Sequence, residues 1–385
     1  MLSREELAAW LRLATTPGIG RGIARQLLAA FGSPERVLAA DGDALRALAG
    51  AGVVHVLKRR DARDEASLVA TLRWLESAAA GAPRDIVTLD DPRYPALLLE
   101  TADPPLLLFT LGRVELLSTP GVAIVGSRDA TPQGVENARV FGQLLSEHKL
   151  TIVSGLALGI DGAAHEGGLA AAGSTVAFVG TGLDRVYPAR HKKLMQRIAE
   201  EGLVASEYPL GANALPHNFP RRNRLIAGIT RGTLVVEAAL ESGSLITARM
   251  ALEEGREVFA IPGSIHSPQS RGCHRLIQEG AKLVETGDDV LRELRFGFPS
   301  ETRRATLSPA QPSLFATAAA MANDEASNPD GPLRAALGHD PVTFDALAAR
   351  TGMASDQLAA RLLELELTGV VQRLPGGLLQ RRAMA

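Results

Sequence analysis

A cluster of arginines makes the segment NFPRRNRLIAG, residues 218–228, the most unusual charged stretch of the sequence. Arg221, Arg222 and Arg224 fall within four positions and lead directly into apolar residues. No aspartate or glutamate occurs in residues 208–236, although acidic and basic residues are nearly balanced over the whole chain. Positive charge that nearby acids do not neutralise is typical of a surface that binds a polyanion. The alternative is an ordinary solvated face.

A second candidate for phosphate binding follows the strand-like run GVAIV. It consists of Gly126, Ser127 and Arg128. A glycine lets the backbone approach a phosphate closely, a serine hydroxyl can donate to it, and an arginine can bind it with two hydrogen bonds. The segment lacks the G-x-G-x-x-G pattern of dinucleotide-binding proteins, so NAD binding is disfavoured.

Three further loops carry glycine together with serine or threonine. Ser242, Gly243 and Ser244 stand at the start of a predicted helix, where they form either an anion site or an ordinary helix cap. The other two loops are residues 154–156 and 181–184. Because ligands bind beyond the carboxyl ends of the strands in an open parallel sheet, the four loops together predict a phosphate-binding rim.

Aromatic and acidic side chains near these loops suggest other roles. Phe219 and Tyr208 could stack on exposed bases, or could simply pack in the core. Asp161 and His165 stand four residues apart and could bind a metal or relay a proton, but a structural hydrogen bond between them is favoured. No nucleophile motif, metal-ligand set or Walker A loop is recognisable. This absence favours binding over catalysis, so we expect no enzyme activity.

The composition indicates a soluble protein of more than one domain. The chain has 385 residues, 46% of them hydrophobic, and a formal net charge of −2. Its single cysteine, Cys273, excludes an internal disulfide framework and suits a reducing cytoplasm. Apolar runs stay shorter than the roughly 18 residues that span a bilayer, and the charged amphipathic N-terminus differs from a signal peptide. We therefore expect a cytoplasmic protein without membrane association.

Alternating strands and helices predict that residues 85–295 form an α/β domain. The strand-like runs are GVAIVGS, LTIVSG, STVAFVG, LVASEY, TLVVEA and REVFAIPG. Helix-length segments separate them, namely TPQGVENARVFGQLLSEH, DGAAHEGGLAAA, ARHKKLMQRIAEE and SLITARMALEE. This alternation predicts a parallel sheet with helices on both faces.

The flanking segments predict two smaller domains and a linker. Residues 1–80 indicate helices around a Pro-Gly-Ile-Gly turn, similar to a helix-hairpin-helix that either meets a phosphate or only packs on its neighbour. Residues 298–331, rich in Ala, Ser and Pro, are typical of a linker. Residues 332–385 predict a winged helix: two helices capped by Thr343 and Ser355, then two strands around a Pro-Gly-Gly turn.

The second helix of the winged-helix segment is acidic. It contains Asp356, Glu364 and Glu366 against Arg361 alone. An acidic helix is repelled by phosphate. We therefore expect this domain to contact protein, or its own sheet domain, in preference to DNA.

Five motifs in order across residues 122–264 closely resemble the DNA-processing protein A (DprA/Smf) family of bacteria. They are VAIVGSR, SGLALGIDGAAHEGGL, GTGLDRVYP, FPRRNRLIAG and EAALESGSLITARMALEEGREVFAIPGS. The resemblance implies an extended Rossmann-like domain, flanked by an N-terminal helical domain of SAM or helix-hairpin-helix type and a C-terminal winged helix. It also implies a homodimer that binds and protects single-stranded DNA during natural transformation. Such a protein helps load the RecA recombinase and needs no nucleotide cofactor.

The resemblance further implies which residues bind DNA. The family's basic pocket involves the Gly-Ser-Arg loop and the F-P-x-R-N-R segment, to which we add the serine-glycine-serine loop. In this sequence these are Gly126, Ser127, Arg128, Phe219, Arg221, Arg222, Asn223, Arg224, Ser242, Gly243 and Ser244. An alternative function is a Rossmann-like enzyme or sensor for a nucleotide ligand. That alternative would use Glu237 as a catalytic glutamate, but SGSLITAR supplies no second acid within reach.

Overall fold

The computed structural model describes most of the chain, in two compact units. The described residues are 2–59, 62–77, 81–296, 333, 337 and 341–381. The first unit is Met1–Phe296 and the second is Gly297–Ala385. The predicted linker, residues 298–331, lies outside the described residues.

Helices make up the beginning of the first unit. Within its described residues up to Ser77 they are α1 (Arg4–Thr15), α2 (Arg21–Phe31), α3 (Pro34–Ala39), α4 (Gly42–Lys58) and α5 (Ala62–Glu76). Ser3 caps α1 in a capping box with Glu6, as the sequence S-x-x-E favours. Trp74 packs edge-on against Phe109 at 6.2 Å between ring centroids, so these helices share one hydrophobic core with the sheet that follows.

One mostly parallel sheet forms the centre of the first unit. Its strands are β1 (Arg84–Thr88), β2 (Leu107–Gly112), β3 (Gly121–Val125), β4 (Thr151–Ser154), β5 (Thr175–Phe178), β6 (Leu203–Ser206), β7 (Gly232–Val235), β8 (Glu257–Ala260) and β9 (Lys282–Leu283). Their order across the sheet is β1-β2-β6-β5-β4-β3-β7-β8-β9. The six predicted strands are confirmed as β3 to β8, all in parallel pairs. At one edge the sheet is extended by β1 and β2, which the sequence did not predict: β1 pairs antiparallel with β2, and β2 pairs antiparallel with β6.

The strand order reverses between β3 and β7. From β3 the chain builds β4, β5 and β6 towards one edge, and it then crosses back to add β7 on the other side of β3. A crevice opens at such a switch point because the loops that follow the two adjacent strands turn in opposite directions. The topology therefore places the loops after β3 and β7 on either side of a crevice.

Helices cover both faces of this sheet. They are α6 (Ala96–Leu99), α7 (Pro132–Glu147), α8 (Ile160–Leu169), α9 (Lys192–Glu201), α10 (Asn218–Ile229), α11 (Ser244–Glu253), α12 (Arg271–Gln278) and α13 (Gly287–Glu293). The four predicted helices are confirmed as α7, α8, α9 and α11. The arginine segment itself forms α10, which the sequence did not predict. Among the described residues, no helix has both the length and the apolar character needed to cross a bilayer.

The chain's one cysteine lies in the core beneath this sheet. Cys273 of α12 is 0% exposed, and its Sγ lies 3.7 Å from the carbonyl oxygen of Val235. Burial raises the pKa of its thiol to about 12. The thiol is therefore protonated and shielded at neutral pH.

The second unit contains two helices followed by a hairpin. They are α14 (Phe344–Thr351), α15 (Ser355–Leu367), β10 (Val371–Arg373) and β11 (Leu379–Arg381). Thr343 caps α14 as predicted, but Ser355 does not cap α15: Ala354 occupies the cap position and Ser355 is the first helical residue. The turn of the hairpin depends on Gly376 and Gly377, whose φ angles of 82° and 75° disfavour other residues.

Candidate nucleic-acid interface

A pocket of about 630 Å³ occupies the crevice between β3 and β7. Its walls are the loop after β3, the first half of α10 and the loop that leads into α11. Nine of the eleven residues predicted to bind DNA line it: Gly126, Ser127, Arg128, Phe219, Arg222, Asn223, Ser242, Gly243 and Ser244. Arg221 and Arg224 are not among the lining residues. The fold thus brings three segments, up to 118 positions apart in the sequence, around one cavity.

The loop after β3 is held rigidly against its neighbours. A Cβ atom at Gly126 would lie 2.6 Å from the side chain of Ile160 and 2.9 Å from the carbonyl oxygen of Glu237, so only glycine fits. Ser127 donates its backbone N–H to that same Glu237 oxygen at 2.8 Å and accepts from the N–H of Ile160 at 3.2 Å. The arginine that follows is consequently presented from a fixed base.

Arg128 and Arg221 are unneutralised charges at or beside the pocket. Both side chains are exposed. Within the described parts of the chain, neither guanidinium has an acidic group at ion-pair distance. Arg128 lies over the ring of Phe219, with its Cζ 5.8 Å from the ring centroid. Of the two, Arg128 lines the pocket, whereas Arg221 lies beside it.

Arg222 is buried and supports the pocket from within. It is 3% exposed, and its Nη1 donates to the carbonyl oxygen of Phe178 at 2.7 Å. Burial lowers its pKa to about 10, against the opposing influence of the Asp161 carboxylate, while Arg128 lowers the pKa further. Arg222, which is predicted to bind DNA, thus lines the pocket without lying on an exposed basic surface. Its charge lies in the floor of the cavity.

Arg224 is neutralised by two acids that lie outside residues 208–236. Its Nη2 contacts Glu207 Oε2, its Nε lies 3.5 Å from Asp103 Oδ2, and its Nη1 donates to the backbone carbonyl of Asp103 at 2.6 Å. Arg21 and Arg25 of α2 also pair with Asp103, at 2.6 Å and 2.7 Å. The expectation of unneutralised charge is thus wrong for Arg224. For the helical hairpin, these contacts favour the alternative in which it packs on its neighbour.

Tyr187 is a pocket residue that the sequence did not single out. Its ring lies 5.3 Å from that of Phe219, at an interplanar angle of 37°, and it lines the cavity. Tyr208, which was considered for base stacking, instead donates its hydroxyl to the carbonyl of Asn218 at 3.3 Å and lies outside the lining. The only available signal was the position of Tyr187 in the GTGLDRVYP motif.

The serine-glycine-serine loop closes the other side of the pocket. Ser242 Oγ and Ser244 Oγ lie 2.7 Å apart, and Ser242 Oγ accepts the backbone N–H of Ser244 at 3.3 Å. Gly243 occupies the cap position of α11 and Ser244 is its first residue, so Ser244 is not the helix cap. The backbone N–H groups of Leu245 and Ile246 donate to the carbonyl oxygens of Ser242 and Gly243, so this loop offers its hydroxyl groups, and not these N–H groups, to an anion.

Asp161 and His165 hold the loop of residues 155–157 after β4, each by separate hydrogen bonds. Asp161 Oδ2 accepts two backbone N–H groups of this loop, at 3.1 and 3.3 Å, and His165 Nε2 accepts the third at 3.2 Å. The predicted hydrogen bond between Asp161 and His165 is therefore wrong. Leu156 in this loop has a φ of 57°, which is unusual for a branched residue and needs such support. Among the described residues, no three His, Cys, Asp or Glu side chains are grouped to hold a metal.

His165 is fixed in its neutral form by a chain of hydrogen bonds. Because Nε2 accepts from Leu156, the proton is on Nδ1, which donates to Thr175 Oγ1 at 2.7 Å. Burial, with the charges of His191 and Arg222, lowers the pKa of His165 from 6.5 to about 3. Between these values the unfolded chain binds a proton that the folded chain does not.

The free energy of unfolding is therefore expected to fall as the pH drops below 6.5, because His165 then takes up a proton in the unfolded chain but not in the folded one. The slope should approach about 1.4 kcal/mol per pH unit from this residue. Urea unfolding between about pH 7.5 and about pH 4.5 measures it. His165→Gln, whose amide oxygen can still accept from Leu156, should be less stable at the upper pH but lose this part of the slope. An unchanged slope in the variant would show that other groups cause the pH dependence.

Glu237 does not face the pocket. Its carboxylate accepts the backbone N–H of Thr131 at 2.9 Å and its hydroxyl at 2.6 Å, at the start of α7. Burial raises the pKa of this carboxyl, against the two hydrogen bonds from Thr131. Glu237 therefore joins β7 to α7, and its position does not suit the catalytic role that the nucleotide-enzyme alternative requires.

Comparison with protein families gives two matches. The family described as DNA recombination-mediator protein A matches residues 85–295, and the DprA winged helix domain matches residues 317–377. Among curated proteins, Protein Smf of Escherichia coli (strain K12) is 40% identical over 320 residues, covering 82% of this chain and 81% of its own. DNA processing protein DprA of Streptococcus pneumoniae is 54% identical over 208 residues, covering 54% and 73%.

Two solved structures are also similar. The X-ray structure of DNA processing protein A from Streptococcus pneumoniae has a TM-score of 0.65 and 39% identity, and covers 77% of this chain and 99% of its own. DNA processing protein A from Helicobacter pylori has a TM-score of 0.50 and 31% identity, covering 55% and 96%. The latter structure is described as giving insight into that protein's single-stranded DNA binding mode. The predicted α/β fold with a C-terminal winged helix is confirmed.

Proposed function

Since the chain belongs to the DNA recombination-mediator protein A (DprA/Smf) family, we propose that it binds single-stranded DNA in the pocket between β3 and β7. The observation that carries this proposal is the state of Arg128: it is exposed, it lines the pocket, and the described residues provide it with no acidic partner. A guanidinium in that situation is available to bind a phosphate through two hydrogen bonds.

The remaining pocket residues suit the backbone and the bases of a single strand. Asn223, Ser242 and Ser244 line the same pocket, and their amide and hydroxyl groups can donate to a second phosphate. Phe219 offers an aromatic surface beside Arg128. Unpaired bases can stack on such a ring, whereas the bases of a duplex are already stacked on one another.

The wider role that we propose rests on the family. The protein would protect incoming single-stranded DNA during natural transformation and help load RecA onto it, as a cytoplasmic homodimer that needs no cofactor and catalyses no reaction.

The domain boundaries at residues 80, 85 and 332 stay predictions. So does the expectation that the winged helix contacts protein, although Glu364 and Glu366 of α15 already pair with Arg361 and Arg373.

Binding of a labelled single-stranded oligonucleotide and of a matched duplex, measured over a salt series, tests the proposal. We expect the single strand to bind more tightly, with log affinity falling by roughly 0.7 for each contacted phosphate per decade of salt. Equal affinity for the duplex, or an affinity independent of salt, would contradict it. Turnover of a nucleoside monophosphate by the purified protein would support the nucleotide-enzyme alternative instead. The rate of RecA filament formation on the same single strand, with and without the protein, tests the wider role.

A further inference from the structure

Tyr187 has no evident structural task. Tyr187 lines the pocket and is 48% exposed, although a large aromatic side chain normally stabilises a fold by being buried. Within the described residues its hydroxyl has no hydrogen-bond partner. Among the described residues, the aromatic ring that Tyr187 contacts is that of Phe219, at 5.3 Å between centroids. Such a ring contributes little to the core and leaves much of its surface available to a ligand.

Tyr187, Phe219 and Arg128 form a small recognition group, which we name the aromatic step. Phe219 contacts both others: Tyr187 ring to ring, and Arg128 through its guanidinium at 5.8 Å. The step therefore places π surfaces directly beside the proposed phosphate ligand. In a nucleic acid strand, a base and its own phosphate are joined through one sugar, so a site for one lies close to a site for the other.

We infer that Tyr187 is a DNA-binding residue that stacks on an unpaired nucleobase of the bound strand. The inference rests on the proposed function and deepens it, because it assigns the selectivity for single strands to a particular side chain. Stacking on an aromatic ring accepts any of the four bases, since each has a π face. The aromatic step then holds a base without reading its sequence, while Arg128 binds the backbone.

An oligonucleotide with an abasic position in place of each base separates stacking from phosphate binding. With a normal thymidine strand, Tyr187→Ala should lower the affinity about tenfold or more, the scale of one stacked base. With the abasic strand, the same variant should bind like the wild type. The salt slope should not change, because no phosphate contact is removed. Tyr187→Phe should retain the affinity for the thymidine strand.

Two controls exclude an effect on folding. Because Tyr187 is largely exposed, its replacement by Ala should leave the urea midpoint of the DNA-free protein unchanged. Leu99→Ala removes a side chain of equal exposure, 49%, that does not line the pocket, and it should bind both strands like the wild type.

The outcomes separate this inference from the proposed function. If Tyr187→Ala binds the thymidine strand as tightly as the wild type, the ring does not contact a base. If it loses the same factor on both strands, the ring acts by positioning Arg128, and stacking is refuted. If the wild type binds neither strand, the proposed function fails, and the inference fails with it.

Discussion

Arg128→Ala is expected to lower the affinity for single-stranded DNA by roughly tenfold to a hundredfold, the scale of a lost charge-assisted hydrogen bond of about 1.5–3 kcal/mol. No ion pair within the protein has to break before the guanidinium binds a phosphate, because none of the described acidic residues pairs with it. It also lies on a rigid loop, so little ordering opposes its contact with phosphate. The salt slope should decrease by about 0.7 for the lost contact.

Fluorescence anisotropy over a salt series measures both changes. Arg197→Ala is the matched control, since it removes an exposed arginine of α9 that pairs with Glu201 and does not line the pocket. Arg221→Ala should have an intermediate effect, because Arg221 is unneutralised but lies beside the cavity. If Arg128→Ala and Arg197→Ala gave the same slope as the wild type, Arg128 would not be a phosphate ligand.

Arg222→Met is expected to destabilise the DNA-free protein by about 1–3 kcal/mol, the scale for leaving a buried polar group without its hydrogen-bond partner. Methionine is similar in length but has neither the charge nor the donors. The change leaves the Phe178 carbonyl without its donor and the buried Asp161 without its nearby positive charge. The loss should therefore occur before any DNA is added.

Urea unfolding of the DNA-free protein measures this loss. The same substitution one residue earlier, Arg221→Met, is the matched control: that side chain is exposed, so its stability should stay within about 0.5 kcal/mol of the wild type. Gly155→Ala offers an independent route, because its Cβ would lie 1.8 Å from Arg222 Nη1 and would displace the guanidinium. If the Arg222→Met variant were as stable as the Arg221→Met variant, Arg222 would not stabilise the floor of the pocket, and its role would be in DNA binding.

The sheet was predictable because its strands are buried on both faces. Such strands consist of continuous β-branched runs, and β3 to β8 were recognised from them. The antiparallel pair β1 and β2 was missed, since no helix-length segment of the expected kind separates these strands from each other. The helix α10 was missed because its start is dominated by Pro220 and three arginines, and its apolar residues fall only in its second half.

The location of the pocket was predictable, but the role of each arginine was not. The loops after β3 and β7 had to meet because parallel strands end at one edge of a sheet. Burial of Arg222 depends on Phe178, 44 positions away, and neutralisation of Arg224 depends on Asp103, 121 positions away. Neither partner can be identified from spacing within residues 208–236. Tyr187 was missed for the same reason, since its neighbour Phe219 lies 32 positions further along the chain.

The buried cysteine makes the chain suitable for site-specific labelling. Cys273 is the single cysteine of the sequence, and its protonated, shielded thiol reacts poorly with maleimide reagents at neutral pH. A new cysteine introduced on the exposed surface of α10 would then be the one reactive thiol, without removal of the native one. A fluorophore attached there would report the arrival and departure of a strand at the pocket in real time, one molecule at a time.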